Sequence, residues 1–438
     1  MNLQEWKNKN GKGRNYAHFD QKVSLYRVWN YISDPRAVAM HGFYPFIHYT
    51  LSFVKYSKEI GRKPKIREIA YSAHIDRYIF QYYGYKLNQF YNNRVKHDNI
   101  DDVAIAYRDN LHKSNLHFAK NAIDFIKNKG ECYVLIGDFT NYFDSLDHKY
   151  LKEMLCDLLD VRQLPPDYYA VFKNITRYST WDLEELLKLY GLENDRDGLR
   201  QFNQLDIALP LDEFKRLKNK FVTPHKDQFG IPQGSAISAV LSNVYMLKFD
   251  KKIYDFVLER QGLYMRYSDD FIVILPSKGL KEFGQDFSFI KSAINLIPQL
   301  KLEPEKTQIY RYNEETLQNC NADLICGSKN GKNIINYLGI SFDGQKVSLR
   351  DKTVSKYYYR LYRKLKTIVN HNGVTKNGHR ISNRNLYEKY SIKGAGLGKG
   401  NFITYVKRAE QIFEGEKAIG NVTRKHMQKI RKRLNEIN

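Results

Sequence analysis

Apolar residues recur at helical spacing over long parts of the chain, whereas near its middle they gather into short compact runs. A polar, basic segment over residues 1–22 is predicted to be an arm, and residues 23–130 are predicted to be mostly helical. The run "CYVLIGDF" at 132–139 predicts a buried strand. Residues 148–222 hold further helical stretches, alternating strands follow, and a Lys-, Arg- and Tyr-rich helical region begins near Asp351. The pattern predicts a mixed α/β body followed by a basic helical region.

Two adjacent aspartates interrupt one apolar pattern, in "YMRYSDDFIVIL" at residues 264–275. Alternating positions precede the pair and an apolar run follows it, so two strands joined by a turn at Asp269 and Asp270 are predicted. Because like charges repel, a partly buried pair must be protonated or neutralised. Three interpretations are open for the pair: an exposed acidic turn, a helix N-terminus, or a cation site.

A third aspartate, Asp138, stands near the end of the strand predicted over 132–139. If that strand and the hairpin are neighbours in one sheet, Asp138, Asp269 and Asp270 converge, and such a cluster requires cations. Carboxylate oxygens select hard ions such as Mg²⁺. Two such ions would serve a phosphoryl transfer, with Mn²⁺ as the expected substitute. The aspartates therefore predict a site for two magnesium ions.

Between these elements lies "FGIPQGSAISAVLSNVYMLKFD", residues 229–250. Glycine and proline at its start predict a tight loop, and apolar residues at helical spacing then predict a core-facing helix. The glycine-flanked Gln233 would bring backbone close to a planar base or sugar. A turn followed by an ordinary core helix is the alternative.

Charge indicates the class of partner. The chain carries 71 Lys and Arg against 48 Asp and Glu, a net charge of +23. From Asp351 onward there are 21 basic and 6 acidic residues, so +15 of that charge falls in the last 88 positions. Such a field attracts polyanions, and an aromatic content of 14% supplies stacking surfaces for bases. Together they favour a nucleic-acid partner over a membrane or an acidic protein.

Compartment signals are few. No apolar stretch approaches the roughly 18 residues of a membrane-spanning helix, and the first residues lack the apolar run of a secretory signal. The four cysteines form neither a disulfide framework nor a zinc-type pair. We therefore expect a cytoplasmic protein with reduced thiols and no membrane partner.

Five segments in order, "GDFTNYFDSLDH", "GIPQGSAISAVLSNVYM", "YMRYSDD", "EPEKTQIY" and "NYLGISF", resemble the successive palm motifs of reverse transcriptases. The upstream "KPKIREIAYSAHIDRYIFQYYGYKLN" and "VAIAYRDN" resemble fingers motifs of the bacterial members, and the likeness covers roughly residues 60–345. The resemblance implies an α+β right-hand polymerase fold, with an antiparallel palm sheet plus helices. It implies three domains: an N-terminal arm and fingers at 1–130, a palm at 131–345 with a helical insertion at about 148–225, and a basic helical thumb at 346–438.

The resemblance also implies roles for individual residues. Asp138, Asp269 and Asp270 match the metal-binding triad, and the Phe139 carbonyl matches the backbone ligand of one ion. Phe143 matches the aromatic steric gate, whose ring leaves no room for a 2′-hydroxyl and so favours deoxynucleotides.

Other matches concern the nucleotide and the primer. Gln233 and Gly234 match the pair beside the incoming nucleotide, and Lys306 matches a lysine proposed to protonate pyrophosphate, although a surface lysine is the alternative. The remaining candidates are the primer-grip turn, Tyr337, Leu338 and Gly339, and the triphosphate contacts, Lys65, Arg67 and Arg108.

Within the family, the chain resembles the defence-associated, abortive-infection-like (unknown-group) bacterial enzymes. Retron enzymes carry "NAxxH" and "VTG" elements, to which "NNRVKH" and "GNVTRK" are poor approximations. The likeness implies an RNA-directed DNA polymerase that makes DNA from dNTPs in antiphage defence. A structured noncoding RNA is its expected template, a DNA product or RNA/DNA hybrid is a second partner, and oligomerisation stays open. The alternatives are a retron-type enzyme and a non-catalytic RNA-binding scaffold.

Overall fold

A computed structural model describes residues 1–57, 61–375, 378, 380, 383–395 and 400–435. The strands are β1 (Phe46–Ser57), β2 (Gly61–Tyr71), β3 (Glu131–Asp138), β4 (Ser179–Asp182), β5 (Thr223–Pro224), β6 (Leu263–Tyr267), β7 (Asp270–Pro276), β8 (Gln308–Asn313), β9 (Thr316–Asn319), β10 (Ile335–Tyr337), β11 (Ile340–Phe342) and β12 (Val347–Leu349).

The helices of the first half are α1 (Leu3–Asn10), α2 (Leu25–Ser33), α3 (Pro35–Ala39), α4 (His74–His97), α5 (Asn115–Lys129), α6 (His148–Leu159), α7 (Pro166–Thr176), α8 (Leu183–Leu189), α9 (Arg196–Phe202) and α10 (Leu211–Phe221). Those of the second half are α11 (Ser238–Tyr245), α12 (Leu247–Glu259), α13 (Leu280–Asn295), α14 (Asn321–Leu324), α15 (Asp351–Asn370), α16 (Asn383–Tyr390), α17 (Ile392–Ala395), α18 (Phe402–Ile412), α19 (Lys417–Arg424) and α20 (His426–Asn435).

A five-stranded antiparallel sheet, in the order β6-β7-β3-β8-β9, lies at the centre of the molecule. Side chains of β3 alternate between two cores, because successive residues of a strand face opposite sides of the sheet. Tyr133 and Leu135 enter a core formed with α4, α6 and α11 to α13, whereas Cys132 and Val134 enter a second core with α5. Burial on both faces explains why this strand is apolar at successive positions.

Gly137 lets β3 end beside an aromatic ring. It lies opposite Phe271 of β7, and a Cβ at Gly137 would stand 2.2 Å from the Phe271 ring. The Phe271 ring stacks in turn on Phe139, with ring centroids 5.3 Å apart. The glycine therefore allows the strand to carry Asp138 past a packed aromatic pair.

The prediction of a mostly helical segment over 23–130 is wrong in one part. Strands β1 and β2 form a long antiparallel hairpin, and β1 also pairs in parallel with β4. Pro64 disfavours a helix interior and lies on β2, an edge strand, where the missing donor is tolerated. The predicted helix "RYIFQYYGYKLNQFY" is confirmed within α4, whose buried residues include Tyr78, Tyr83 and Leu87.

The predicted N-terminal arm is partly a packed helix. Asn2 caps α1 through a capping box with Glu5. Trp6 is 4% exposed and packs against Trp29 and Tyr82, with centroids 6.4 and 5.8 Å away. The first residues therefore belong to the main core.

Helices α15 to α20 follow the last sheet and have a small core of their own. It includes Tyr357, Leu361 and Ile403, among residues from α15, α16, α18 and α20. Val406 of α18 also enters the second core beneath the central sheet. Over the described ranges, the structure has no helix long and apolar enough to cross a bilayer, and the four cysteines are free thiols.

Candidate active site

The aspartates meet at one end of the central sheet. The pairing of β3 with β7 runs from Cys132 opposite Pro276 to Asp138 opposite Asp270, so these two carboxylates stand on neighbouring strands. Asp269 lies in the two-residue turn that joins β6 to β7, because Tyr267 pairs with Asp270. The Phe139 N–H donates to the Asp269 carbonyl at 3.2 Å and ties this turn to the end of β3. The sheet therefore brings together the three aspartates predicted to converge.

The carboxylates of this cluster repel one another. Burial, the Asp269 charge and the neighbouring Asp138 raise the pKa of Asp270 to about 7. Burial and the Asp138 charge also raise the pKa of Asp269. Desolvation and like charges both disfavour the ionised form, so the site carries negative charge that the protein only partly neutralises.

Lys306 is the cation nearest to this cluster. Its Nζ forms a short ion pair with Asp138 Oδ1, and its side chain is 47% exposed. Burial lowers the pKa of Lys306, but its bond to Asp138 and the surrounding acids outweigh that effect and raise it overall. The loop that carries Lys306 is anchored to β3, because the Glu303 N–H donates to the Asp138 carbonyl at 2.8 Å.

The donor set fits a hard divalent cation, since all three side chains offer carboxylate oxygens. Among the residues that the structure describes, no three acidic, histidine or cysteine side chains are close enough to hold an ion as they stand. Lys306 is the cation that Asp138 contacts. A metal ion at Asp138 would therefore compete with Lys306 for the same oxygen.

Phe143 and Gln233 lie on adjoining segments. The Ile231 N–H donates to the Phe143 carbonyl at 2.9 Å, and Gln233 Nε2 donates to the Asp144 carboxylate at 3.2 Å. The Phe143 ring is half-buried beside Tyr142, with centroids 5.5 Å apart. The structure thus brings the predicted gate and the predicted glutamine onto one surface.

Gly234 has a structural reason to be glycine. Its φ is +114°, and a Cβ there would stand 2.5 Å from the Ala70 carbonyl of β2. The Gln233 carbonyl accepts from the Ala70 N–H at 2.9 Å. Only glycine allows this close approach without strain, so the loop is fastened to the base of the β1–β2 hairpin.

The predicted primer-grip turn joins β10 to β11. Leu338 and Gly339 have φ values of +48° and +92°, as a two-residue turn with both central residues left-handed requires. Asn115 Nδ2 donates to the Leu338 carbonyl at 2.7 Å. The turn lines the same cavity as Asp138 and Asp270, and burial together with the Asp270 charge raises the pKa of Tyr337.

One cavity of about 630 Å³ lies between the acidic cluster and the turn at Tyr337 to Gly339. Its lining includes two of the aspartates, Lys306 and the turn: Asp138, Asp270, Lys306, Tyr337, Leu338 and Gly339. The acidic cluster and the turn therefore open onto the same space.

Comparison with known proteins identifies the family. The sequence profile described as "Reverse transcriptase (RNA-dependent DNA polymerase)" matches residues 77–342, more than half of the chain. The chain belongs to the reverse transcriptases. Membership of this family gives the chain the predicted right-hand polymerase fold.

Solved telomerase structures resemble this reverse transcriptase distantly. Apo telomerase from Candida Tropicalis is 15% identical with a TM-score of 0.42, and the alignment covers 97% of this chain and 67% of that chain. Telomerase from Candida albicans, in complex with a TWJ fragment of telomeric RNA, is 12% identical with a TM-score of 0.41, over 99% and 65% of the two chains. The chain spans 59–67% of the length of the telomerase structures that it matches. No curated protein matches it by sequence.

The structure corrects one predicted triphosphate contact of the reverse transcriptase. The Arg108 side chain is 0% exposed and forms a short ion pair with Asp101. Its Nε donates to Asn92 Oδ1 at 2.9 Å. Arg108 therefore holds the segment after α4 together and has no face towards a nucleotide. Arg67 is exposed on β2, whereas the side chain of Lys65 lies outside the described part of the chain.

Sequence reasoning missed a buried polar network beneath the aspartate turn. Arg266 of β6 and Asp250 of α12 form an ion pair in which both side chains are 0% exposed. The available signal was an arginine inside an otherwise apolar strand, matched by an aspartate on a buried helix face. Because the two lie apart in the sequence, only the fold brings them together.

Proposed function

We propose that this reverse transcriptase joins deoxynucleotides at the cluster of Asp138, Asp269 and Asp270. The observation that carries the proposal is the register that sets Asp138 opposite Asp270, with Asp269 in the connecting turn. These carboxylates and the Phe139 carbonyl would hold two Mg²⁺ ions, or Mn²⁺ in substitution. Ions bound there would activate the attacking hydroxyl and stabilise the leaving oxygen of a phosphoryl transfer.

Lys306 would hold the proton for the leaving pyrophosphate. Its net raised pKa keeps it protonated at neutral pH, and its contact with Asp138 keeps the ammonium beside the reacting phosphates. A half-exposed lysine can move from this carboxylate when a metal ion binds there, so the same side chain would neutralise Asp138 in the metal-free protein and donate its proton in the metal-bound one.

The segment around Phe143 would select the sugar. The half-buried ring belongs to a segment that borders the loop carrying Gln233 and Gly234, and hydrogen bonds join this loop to the Phe143 carbonyl and the Asp144 carboxylate. A ring under the sugar leaves no room for a 2′-hydroxyl, so dNTPs would be preferred over ribonucleotides. Arg67 and Lys65 of β2 are the remaining candidates for triphosphate contacts.

The turn at Tyr337, Leu338 and Gly339 would hold the primer end. It borders the same cavity as Asp138 and Asp270. Its carbonyls are fixed by Asn115 and by the Arg350 N–H, at 2.7 and 3.0 Å. Such fixed backbone provides a firm support for a primer hydroxyl.

We also propose the division into an N-terminal arm and fingers at 1–130, a palm at 131–345 and a thumb at 346–438, with nucleic acid bound along the thumb. A cavity of about 900 Å³ lies between α15, α16 and the start of α18. Its lining includes five cations and one acid: Arg350, Lys352, Lys356, Arg360, Lys389 and Glu388. Such a surface fits the phosphates of RNA or of an RNA/DNA hybrid.

Salt dependence tests the thumb assignment. The double substitution Lys356→Gln, Arg360→Gln should reduce the slope of log Kd against log salt by about one per lost phosphate contact, with dNTP affinity unchanged. Lys188→Gln on α8, whose lysine pairs with Glu184 and Glu185, is the matched control. An unchanged slope in the double variant would mean that this part of the thumb does not contact RNA phosphates.

The biological role that we propose is antiphage defence in the bacterial cytoplasm, with a structured noncoding RNA as template. The absence of good matches to the retron elements supports the defence-associated branch, and the basic C-terminal region supports a bound RNA. Sequencing the nucleic acid that copurifies with the protein tests this directly. Recovery of random cellular RNA would contradict a dedicated template.

Primer extension tests the proposed chemistry. Purified protein with its copurifying RNA, Mg²⁺ and labelled dNTPs should incorporate label, and the Asp269→Ala, Asp270→Ala variant should not. RNA binding by that variant should persist, since the thumb is unaltered. Absence of wild-type incorporation on every template, with RNA still bound, would favour the non-catalytic scaffold.

A further inference from the structure

A fully buried ion pair lies directly beneath the turn that carries Asp269. Arg266 Nη2 and Nε donate to the two oxygens of Asp250 at 2.6 and 2.8 Å, and neither side chain is exposed. The Tyr264 hydroxyl donates to the same carboxylate at 2.8 Å. The carboxylate is thereby satisfied, and the guanidinium keeps Nη1 free of Asp250.

That remaining arm reaches the catalytic turn. Arg266 Nη1 donates to the Ser268 carbonyl at 3.0 Å and approaches Asn243 Oδ1 at 3.3 Å. Ser268 immediately precedes Asp269 and has a φ of +61°, a conformation that non-glycine residues rarely adopt. The Tyr107 hydroxyl donates to Ser268 Oγ at 3.1 Å from the other side. The strained residue of the turn is therefore clamped at its carbonyl and at its side chain.

Stability alone gives a weak reason for this arrangement. Desolvating two charges offsets most of their attraction, and well-packed apolar residues often replace such pairs without loss. What apolar residues lack is a donor for the Ser268 carbonyl. A planar guanidinium held by two bonds to one carboxylate directs its third nitrogen along a fixed line, which a lysine ammonium does not do.

We propose that Arg266, oriented by Asp250, is a positioning residue that fixes the Ser268–Asp269 turn and thereby the direction of the Asp269 carboxylate. This inference rests on the proposed function, in which Asp269 is a metal ligand. Arg266 itself touches neither nucleotide nor metal and acts through the Ser268 carbonyl.

Arg266→Lys keeps the charge opposite Asp250 and removes the fork. We expect kcat for single-nucleotide incorporation to fall about 10- to 100-fold, the range typical of residues that orient metal ligands. The KM for dNTP and the Kd for RNA should stay within about twofold. Tyr264→Phe is the matched control, because it removes a bond to the same Asp250 carboxylate and leaves the turn untouched. It should retain wild-type kcat.

Mn²⁺ binding provides a readout independent of turnover. Titration followed by the electron paramagnetic resonance of free Mn²⁺ should give a Kd about 10-fold higher in Arg266→Lys and unchanged in Tyr264→Phe. Asp269→Asn marks the effect of losing the carboxylate itself. If both single variants weaken Mn²⁺ binding equally, the network is merely structural and the inference fails.

A third variant covers the case in which Arg266→Lys does not fold. The combination Asp250→Leu, Tyr264→Phe, Arg266→Met replaces the network by apolar side chains, as buried pairs often allow. A folded triple variant with reduced kcat and weakened Mn²⁺ binding supports the inference. A folded triple variant with wild-type kcat and wild-type Mn²⁺ affinity overturns the inference and leaves the proposed function intact. The proposed function itself would be refuted if the wild type were inactive and Asp269→Asn bound Mn²⁺ as tightly as the wild type.

Discussion

The hairpin formed by β6 and β7 has one group of charged residues beneath it and another at its tip. The charges beneath it neutralise one another, whereas those at the tip repel one another. Beneath it, Asp250 and Arg266 are both 0% exposed and neutralise one another. At its tip, Asp269 and Asp270 meet Asp138, and burial together with the neighbouring carboxylates raises the pKa values of Asp269 and Asp270. The inner charges are fully paired within the protein, whereas the outer carboxylates are only partly neutralised, by Lys306.

This difference separates structural from chemical roles. A carboxylate whose charge is fully paired inside the fold has no capacity left for a ligand, so its removal should affect stability. A cluster whose charge is only partly paired destabilises the free protein and is retained where a ligand completes it. Substitutions at the tip should therefore lower activity without lowering stability, whereas breaking the inner pair should lower stability and affect activity only through the Ser268–Asp269 turn.

The largest expected effect is on catalysis. Asp270→Asn should lower kcat/KM for primer extension by about 10³-fold or more, because loss of a metal ligand removes several kcal/mol of transition-state stabilisation. Its denaturation midpoint should equal or exceed that of the wild type, because a source of repulsion is gone. A variant that unfolds more easily would break the distinction between the two sides.

Substitution of the buried Asp250 should mainly lower stability. Asp250→Asn leaves Arg266 buried and unpaired, so the free energy of unfolding should fall by about 3–5 kcal/mol in urea denaturation. Asp255→Asn is a matched control, since Asp255 lies on the same helix and forms an exposed pair with Lys251. It should change stability by less than about 1 kcal/mol. Equal losses in both variants would contradict the comparison.

The adjacent residues Tyr142 and Phe143 allow the same comparison between stability and activity, with smaller expected effects. Phe143→Val should reduce the preference for dNTPs over ribonucleotides by about 10- to 100-fold, since an enlarged pocket admits the extra hydroxyl. Tyr142→Phe removes a buried hydrogen bond to the Ser242 carbonyl, 2.7 Å long. It should cost about 1–2 kcal/mol of stability and leave sugar selectivity unchanged. Competition assays with dNTP and rNTP pairs measure the first effect, and urea denaturation the second.

Much of the aspartate cluster could be predicted from the sequence because its signals are local. An apolar run that ends in aspartate, as at Asp138, predicts both a buried strand and the end of that strand at which the carboxylate lies. The alternation before Asp269 and Asp270 predicts the hairpin. The roles of these residues stay predictions. The resemblance of five ordered motifs added the family, which the match over residues 77–342 confirms.

Other features could not be predicted, because burial of polar residues depends on the tertiary fold. Arg108 was one basic residue among many, and nothing local distinguishes its buried ion pair from an exposed contact. Among the described side chains of the β1–β2 hairpin, Ile66, Arg67 and Glu68 are exposed at successive positions of β2, so the alternation that would indicate a half-buried strand is missing there. The Asp250–Arg266 pair required knowledge of which helix packs behind β6.

The smallest expected effect is on the pH dependence of stability in the metal-free protein. Burial and the neighbouring carboxylates raise the pKa of Asp270 in the folded state from 3.8 to about 7. The folded state therefore binds more protons than the unfolded state between about pH 4 and 7, and the free energy of unfolding should fall as the pH rises through that window. We expect a loss on the order of 1 kcal/mol, because Asp270 is partly exposed and water screens the repulsion.

Urea denaturation in EDTA at pH 5 and pH 8 measures this loss, and Asp270→Asn should reduce it while Asp250→Asn keeps it. Mg²⁺ should stabilise the wild type more at pH 8 than at pH 5, since ion binding requires deprotonated carboxylates. A Mg²⁺ effect that is equal at both pH values, or that persists in Asp270→Asn, would mean that the outer carboxylates do not receive the ion. The contrast between the two sides of the hairpin would then reflect burial alone.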